Sequence, residues 1–377
     1  MSIQRFVREI HAAPSRVVLA LAGGGSRAIC QLLEMPGASR TVLEVVVPYS
    51  GAALSEWLGG PPEHACSAQT ARAMAMAAFL RACRFGESDA SCAGVASTAS
   101  LATDRPKRGP HRVHLAVQTA ARTVTRSLPL RKQARSRAQE ERLVSRLVLN
   151  MIAEACGLKR RLKVDLLAGE RFDDSEVVAP RPWQDLLLGK VAKVRHGGPP
   201  DRADEAPKAI FPGAFNPLHA GHRRMARIAQ SLLKTPVELE ISILNVDKPA
   251  LDYFELERRT GQLARDEAVW LTRSARFDEK SQLFAGATFV VGADTLRRIA
   301  DPRYYGGDPA ACRSAHERIA ASGCRFLVFG RDPGSGFVTL GDLDLPDILR
   351  TLCREVPAAQ FREDVSSTEI RNRGGWQ

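Results

Sequence analysis

The apolar positions change period twice along the chain. Ile3, Phe6, Val7 and Ile10 fall on one helix face, and "RVVLALAGGG" then reads as a buried strand ending in a glycine turn. "TVLEVVVPYS" predicts a second buried strand, and "SAQTARAMAMAAFLRACRFG" an Ala-rich helix. "CAGVASTASLATDRPKRGPHRVHLAVQT" reads as strand, long loop, strand. Leu143, Leu147 and Met151 recur at i+4, as do Val144, Val148 and Ile152, so a helix closes this first region near residue 165. From 166 to 206 the periodicity breaks up, and "HGGPPDRADEAPK" carries turn and linker chemistry, with a boundary expected near Pro199 to Pro207. From 207 to 377 strand patterns ("KAIFPG", "VELEISILN", "AVWLTR", "TFVVGAD", "RFLVFGRD") alternate with helical ones. Such alternation predicts a doubly wound parallel sheet with helices on both faces, a Rossmann-like α/β domain.

Composition agrees with two globular domains. The chain has 377 residues, 44% hydrophobic and 25% charged. No apolar run reaches membrane-spanning length, and the N-terminus lacks the long apolar core of a secretory signal, so no membrane partner and a cytoplasmic location are expected. The eight cysteines include no C-x-x-C pair, which predicts reduced thiols and no structural zinc. The net charge is +12, and residues 105–163 hold sixteen Lys and Arg against Glu140, Glu141 and Glu154. A solvated helix face with basic loops accounts for this stretch. Without a zinc finger or interleaved aromatics, nucleic acid is not an expected partner.

One stretch invites chemistry. "FPGAFNPLHAGH" runs from Phe211 to His222 between a strand and a helix. A helix N-terminus presents free N–H groups and partial positive charge, which suit phosphate. Gly213 allows close backbone approach, Pro217 stiffens the turn, and His219 and His222 can donate hydrogen bonds to phosphate oxygens, with protonation adding charge. A plain strand-to-helix turn with two incidental histidines competes with this reading. A zinc site is disfavoured because the histidines are three apart, and G-x-G-x-x-G is absent. The C-terminus adds "VSSTEIRNR". Ser366 and Glu369 have capping-box spacing, Ser367 and Thr368 offer hydroxyls, and Arg371 can reach a phosphate. Two helix N-termini at the ends of one domain could clamp a triphosphate.

"PGAFNPLHAGH" with "SSTEIR" resembles the HxGH nucleotidylyltransferase superfamily, and within it the nicotinamide or nicotinate mononucleotide adenylyltransferases. "VVGADTL", "VFGRDPGSG" and "NVDKPALDYFELERR" resemble their G-x-D segment, Arg-x-Gly strand and substrate-side helix. The resemblance covers roughly residues 207–373. It implies transfer of AMP from ATP to a pyridine mononucleotide, with release of pyrophosphate. By this resemblance His219, His222 and Arg371 are catalytic. Gly213, Phe215, Gly292, Asp294, Ser366, Ser367 and Thr368 join them in binding ATP, and Lys248 and Arg331 face the mononucleotide. Mg²⁺ is implied as the triphosphate's companion, bridging phosphate oxygens. Cytidylyltransferases share the HxGH loop, but "SSTEIR" differs from their usual C-terminal signature.

"GGGSRAICQLLEMPGASRTVLEVVVPYSGAALSEWLG" resembles the CinA C-terminal domain family, which includes nicotinamide-mononucleotide deamidases, over about residues 8–160. The chain departs from that family at its chemistry. Leu21 stands where the family has its nucleophilic serine, and Leu54 where it has a lysine. Ser26 lies beyond the glycines. The implied role of this half is therefore non-catalytic, in self-association or ligand sensing, and a homo-oligomer is expected. Two alternatives stay open for the chain: cytidylyl or adenylyl transfer to another phosphorylated acceptor, and a nucleotide-binding regulator without turnover.

Overall fold

The computed structural model describes residues 2–86, 91–104, 108–200, 205–246, 248–264, 267–331 and 336–362. The chain divides into two compact units, Met1–Leu188 with Asp247–Glu255, and Gly189–Val246 with Leu256–Gln377.

The first unit contains α1 (Ile3–Ala12), β1 (Arg16–Ala22), α2 (Arg27–Leu33), β2 (Val42–Val46), α3 (Gly51–Leu58), α4 (Ala68–Phe85), β3 (Cys92–Ser100), β4 (His111–Thr119), β5 (Arg122–Leu130), α5 (Arg137–Ala155), β6 (Asp173–Val178) and α6 (Arg181–Leu187). Its sheet has the order β2-β1-β3-β4-β5-β6. β1 runs parallel to β2 and β3, and β4, β5 and β6 continue as antiparallel neighbours. The apolar stripe of α1 buries Phe6, Val7 and Ile10 completely, together with the Val144 and Val148 row of α5. A capping box starts α5: the Ser136 N–H donates to Gln139 Oε1 at 2.8 Å, and the Gln139 N–H donates to Ser136 Oγ at 3.3 Å.

The basic stretch finds its counter-ions largely outside its own sequence window. Arg135 pairs with Glu170, Arg122 with Glu176, Arg146 with Asp165 and Arg160 with Glu9, while Arg126 and Arg161 share Glu154. Residues 252–254 also pack in this unit. Asp252 is buried and accepts from Arg72 Nε at 3.1 Å, and the Tyr253 hydroxyl donates to the Ala120 carbonyl at 2.6 Å.

The second unit contains β7 (Lys193–Gly197), β8 (Ala209–Pro212), α7 (Ala220–Leu233), β9 (Val237–Ser242), the C-terminal part of α8 (Tyr253–Thr260), β10 (Ala268–Thr272), α9 (Phe277–Leu283), β11 (Thr288–Gly292), α10 (Ala293–Ala300), α11 (Pro309–Ala321), β12 (Arg325–Phe329), α12 (Asp347–Arg350) and β13 (Cys353–Val356). The order is β13-β12-β11-β8-β9-β10-β7, parallel except for β7 at the edge. Ile210, Phe289, Val291, Phe326 and Val328 fill the core beside the central strands. From β8 the chain winds outward through β9 and β10. It then returns to β11 on the opposite side of β8 and winds outward again through β12 and β13. The reversal between β8 and β11 is a topological switch point, where open parallel sheets bind ligands at their strands' carboxyl ends.

The expected linker of 166–206 is corrected by the structure. β6 and α6 complete the first unit, and β7 pairs with β10 in the second sheet. Both strands lie at sheet edges; β6 exposes five of its six residues and β7 fully buries none, so neither carries the apolar period that marks a central strand. No helix among the described residues is long and apolar enough to cross a membrane.

Candidate active site

β8 ends at Pro212, and the loop 213–219 leads into α7 at the switch point. Gly213 donates its N–H to the Glu240 carbonyl at 2.9 Å, tying the loop to β9. A Cβ on Gly213 would lie 2.5 Å from the Phe215 ring, so only glycine fits against that ring. Phe215 takes φ +43°, a left-handed conformation rare for a bulky residue. Its ring is buried edge-on against Phe211 at 5.4 Å and His222 at 5.1 Å between centroids. The side chain predicted to bind ATP therefore packs beneath the loop and props the histidine.

His219 is the N-cap of α7, and His222 occupies the third helical position. Their rings stack at 3.7 Å between centroids. The His219 N–H donates to His222 Nδ1 at 3.3 Å. Nδ1 is thus an acceptor, and a neutral ring carries its proton on Nε2. Burial, the adjacent His219 and the Arg331 guanidinium push the His222 pKa down to about 3. The charged histidine that protonation would supply is therefore replaced, at position 222, by a neutral donor.

Across the switch point, Gly292 ends β11 and caps α10, with open space where a Cβ would stand. Asp294 lies in the first turn of α10, and Arg331 follows β12. Arg331 Nη1 meets Asp294 Oδ2 at 3.2 Å, with both side chains partly exposed. The predicted residues His219, His222, Gly292, Asp294 and Arg331 all lie at or just beyond the carboxyl ends of β8, β11 and β12. Lys248 is exposed and falls in the segment grouped with the first unit. Ser366, Ser367, Thr368, Glu369 and Arg371 lie outside the described residues.

Three residues that the sequence reading did not single out for this site hold its loop. Arg259 Nη1 donates to the Ala214 carbonyl at 2.9 Å, and Arg258 Nη2 donates to Asn216 Oδ1 at 2.7 Å. Gln262 Oε1 accepts from the Leu218 N–H at 2.8 Å, and its Nε2 donates to the Phe215 carbonyl at 3.2 Å. The arginines were visible in "FELERR"; nothing in the sequence marked Gln262.

In the first unit, Leu21 and Leu54 are buried, at 1% and 3% exposure. The glycine turn is filled from within. Glu141 Oε2 accepts from the Gly25 N–H at 3.0 Å, and Oε1 accepts from Ser26 Oγ at 2.9 Å and from the Arg27 N–H at 3.4 Å. Gly23, at φ +83°, lies so close to the Ala99 carbonyl that a Cβ would clash at 2.0 Å.

A family model for cytidylyltransferase-like proteins matches the chain across both flanks of the switch point. Residues 210–373 match that family. This match supports a nucleotidyltransferase domain in the second unit. Solved structures of CinA-family proteins resemble the N-terminal region. They include the competence/damage-inducible protein CihA from Agrobacterium tumefaciens, at 23% identity and TM-score 0.35, covering 41% of this chain and 99% of that one. A CinA superfamily protein from Escherichia coli has 17% identity and TM-score 0.34, covering 41% and 90%. A competence or damage-inducible protein from Enterobacter asburiae has 18% identity and TM-score 0.34, covering 42% and 98%. No curated protein matches the chain at a significant level.

Proposed function

We propose that the nucleotidyltransferase domain transfers AMP from ATP to nicotinamide or nicotinate mononucleotide. The observation that carries this reading is the neutral His222, fixed by the His219 N–H at the start of α7, facing the Asp294–Arg331 pair across the switch point. A phosphate monoester is already an anion, so its oxygen can attack the α-phosphorus of ATP without a general base. The new P–O–P bond forms as the bond to the β-phosphate oxygen breaks, and negative charge passes to pyrophosphate. Catalysis then consists of positioning and charge stabilisation. His222 Nε2–H and the amides of the α7 N-terminus donate to phosphate oxygens. Arg331 contributes positive charge, and Gly292 and Asp294 receive the ribose.

From the sequence motif, Ser366, Ser367, Thr368 and Arg371 bind the β- and γ-phosphates. Among the described residues no group of three or more His, Cys, Asp or Glu is placed to cage a metal. The site's chemistry fits Mg²⁺ arriving on the triphosphate and neutralising its charge there. The first unit serves self-association in this reading, in a cytoplasmic homo-oligomer. The cytidylyltransferase-like description of the family model favours one second reading, CMP transfer to another phosphorylated acceptor.

One assay separates them. Pyrophosphate release is measured with Mg²⁺ and each pairing of ATP or CTP with nicotinamide mononucleotide, nicotinate mononucleotide or another phosphorylated alcohol. Release confined to ATP and a pyridine mononucleotide supports the proposal; release only with CTP transfers the assignment to the second reading. No release with any pair sinks both.

A further inference from the structure

We infer that Gln262 is a positioning residue for the nucleotide loop, setting the hydrogen-bonded state of His222 without touching substrate. The inference rests on the phosphate-binding role proposed above for that loop. Four residues, Phe215 to Leu218, separate the strand-side turn from His219, and they include the strained Phe215 at φ +43°. The two ends of this segment are gripped by one side-chain amide. Oε1 accepts from the Leu218 N–H, the residue immediately before His219, at 2.8 Å. Nε2 donates to the Phe215 carbonyl at 3.2 Å and to the Arg258 carbonyl at 3.2 Å.

The orientation of the amide is fixed by its partners. A backbone N–H can only donate and the carbonyls can only accept, so a flipped amide would lose these contacts together. Gln262 thus acts as a clasp: one group satisfies a donor and an acceptor at opposite ends of a turn. Arg259 adds a bond to the Ala214 carbonyl from the preceding turn of chain. Arg223, one residue past His222, donates from Nη2 to the Gln262 carbonyl at 3.0 Å and also pairs with Glu267. The clasp is therefore anchored to the same helix that carries His222.

The consequence reaches the imidazole. His222 Nδ1 is held by the His219 N–H, and the direction of that N–H depends on the Leu218–His219 peptide. The Leu218 N–H belongs to the preceding Pro217–Leu218 peptide, so releasing it frees Leu218 to turn about its φ and ψ, and the Leu218–His219 peptide turns with it. The bond at Nδ1 then loosens, and with it the ring orientation and the preference for the proton on Nε2.

Glutamine-to-leucine replacement keeps the approximate size and removes both hydrogen-bonding groups. For Gln262→Leu we expect kcat for pyrophosphate release to fall by about 10- to 100-fold, with little change in KM for the mononucleotide. Gln262→Glu keeps an acceptor for Leu218 but turns a carboxylate towards the Phe215 carbonyl. Protonation restores a donor there, so its activity relative to wild type should rise as pH falls through the titration of that carboxyl. A general loss of folding would not produce this relative recovery.

The third measurement needs no turnover. In ¹⁵N NMR of the full-length, ligand-free protein, wild-type His222 should show a hydrogen-bonded acceptor Nδ1 and a protonated Nε2. Gln262→Leu should shift both resonances towards tautomer averaging. Unchanged imidazole resonances with kcat within about twofold of wild type would overturn the inference. So would a Gln262→Glu variant with no relative acid recovery. If wild type releases no pyrophosphate with any substrate pair, the proposed function fails, while the NMR comparison still decides the clasp.

Discussion

Lowering the pH should leave His222 uncharged long after an ordinary histidine has titrated. Its pKa is pushed from 6.5 down to about 3, chiefly by burial and then by His219 and Arg331. The unfolded chain titrates near the ordinary value, so between about pH 6.5 and pH 3 the unfolded state binds the proton that the folded state refuses. Stability therefore falls as pH drops through this window, and the penalty is absent above it. Near pH 5 the separation is about 1.5 units, or about 2 kcal/mol. His114, pushed down to about 4 by burial and Arg112, adds a penalty of the same sign. A comparison of wild type with His222→Asn isolates the His222 share: denaturation at a series of pH values should show a shallower acid decline in the variant. Imidazole NMR supplies the direct reading. A His222 resonance titrating near pH 6.5 would refute the argument, because it would show a solvated ring free to take a proton.

Other consequences can be measured alongside. His222→Ala should cut kcat far more than it raises KM for the mononucleotide, since its contact strengthens as charge moves to the leaving pyrophosphate. Gly213→Ala should displace the Phe215 ring, from which the new Cβ would lie 2.5 Å, and lower kcat in a protein that still gives a native circular dichroism spectrum. Glu170→Gln should destabilise the first unit by about 2 kcal/mol, because it removes the buried carboxylate that takes two charge-assisted hydrogen bonds from the half-buried Arg135; urea denaturation followed in that unit checks this. The full chain should release no ammonia from nicotinamide mononucleotide and should sediment as an oligomer; release abolished by Ser26→Ala would instead show that the first unit is catalytic.

The central strands of both sheets were legible because they are buried and apolar: the runs around Val17–Ala22, Ile210 and Phe289–Val291 carry their burial in their composition. The i+4 rows of α5 were legible for the same reason. Edge strands were not. β6 reads "DDSEVV" and β7 reads "KVRHG", and neither gives a polar-to-apolar contrast to detect. In the site, His219 and His222 announced themselves by residue type and spacing. The depressed pKa of His222 did not, because it depends on burial and on Arg331, more than a hundred positions away in sequence. The clasp was equally hidden. A glutamine forty-four residues beyond Leu218 has no local pattern, and its role exists only once β8, α8 and α7 have met.

Glu141 makes the glycine turn of the first unit self-sufficient. A glycine turn before a helix usually leaves amide donors wanting a partner, and a bound anion can be part of what keeps such a turn in shape. Here the carboxylate takes the Gly25 and Arg27 amides and the Ser26 hydroxyl. The chain's own carboxylate completes the turn, like a socket cast with its plug in place. Leu21, buried beside it, packs against a loop whose shape the chain itself supplies. The shape of this turn thus rests on a carboxylate 116 positions along the chain.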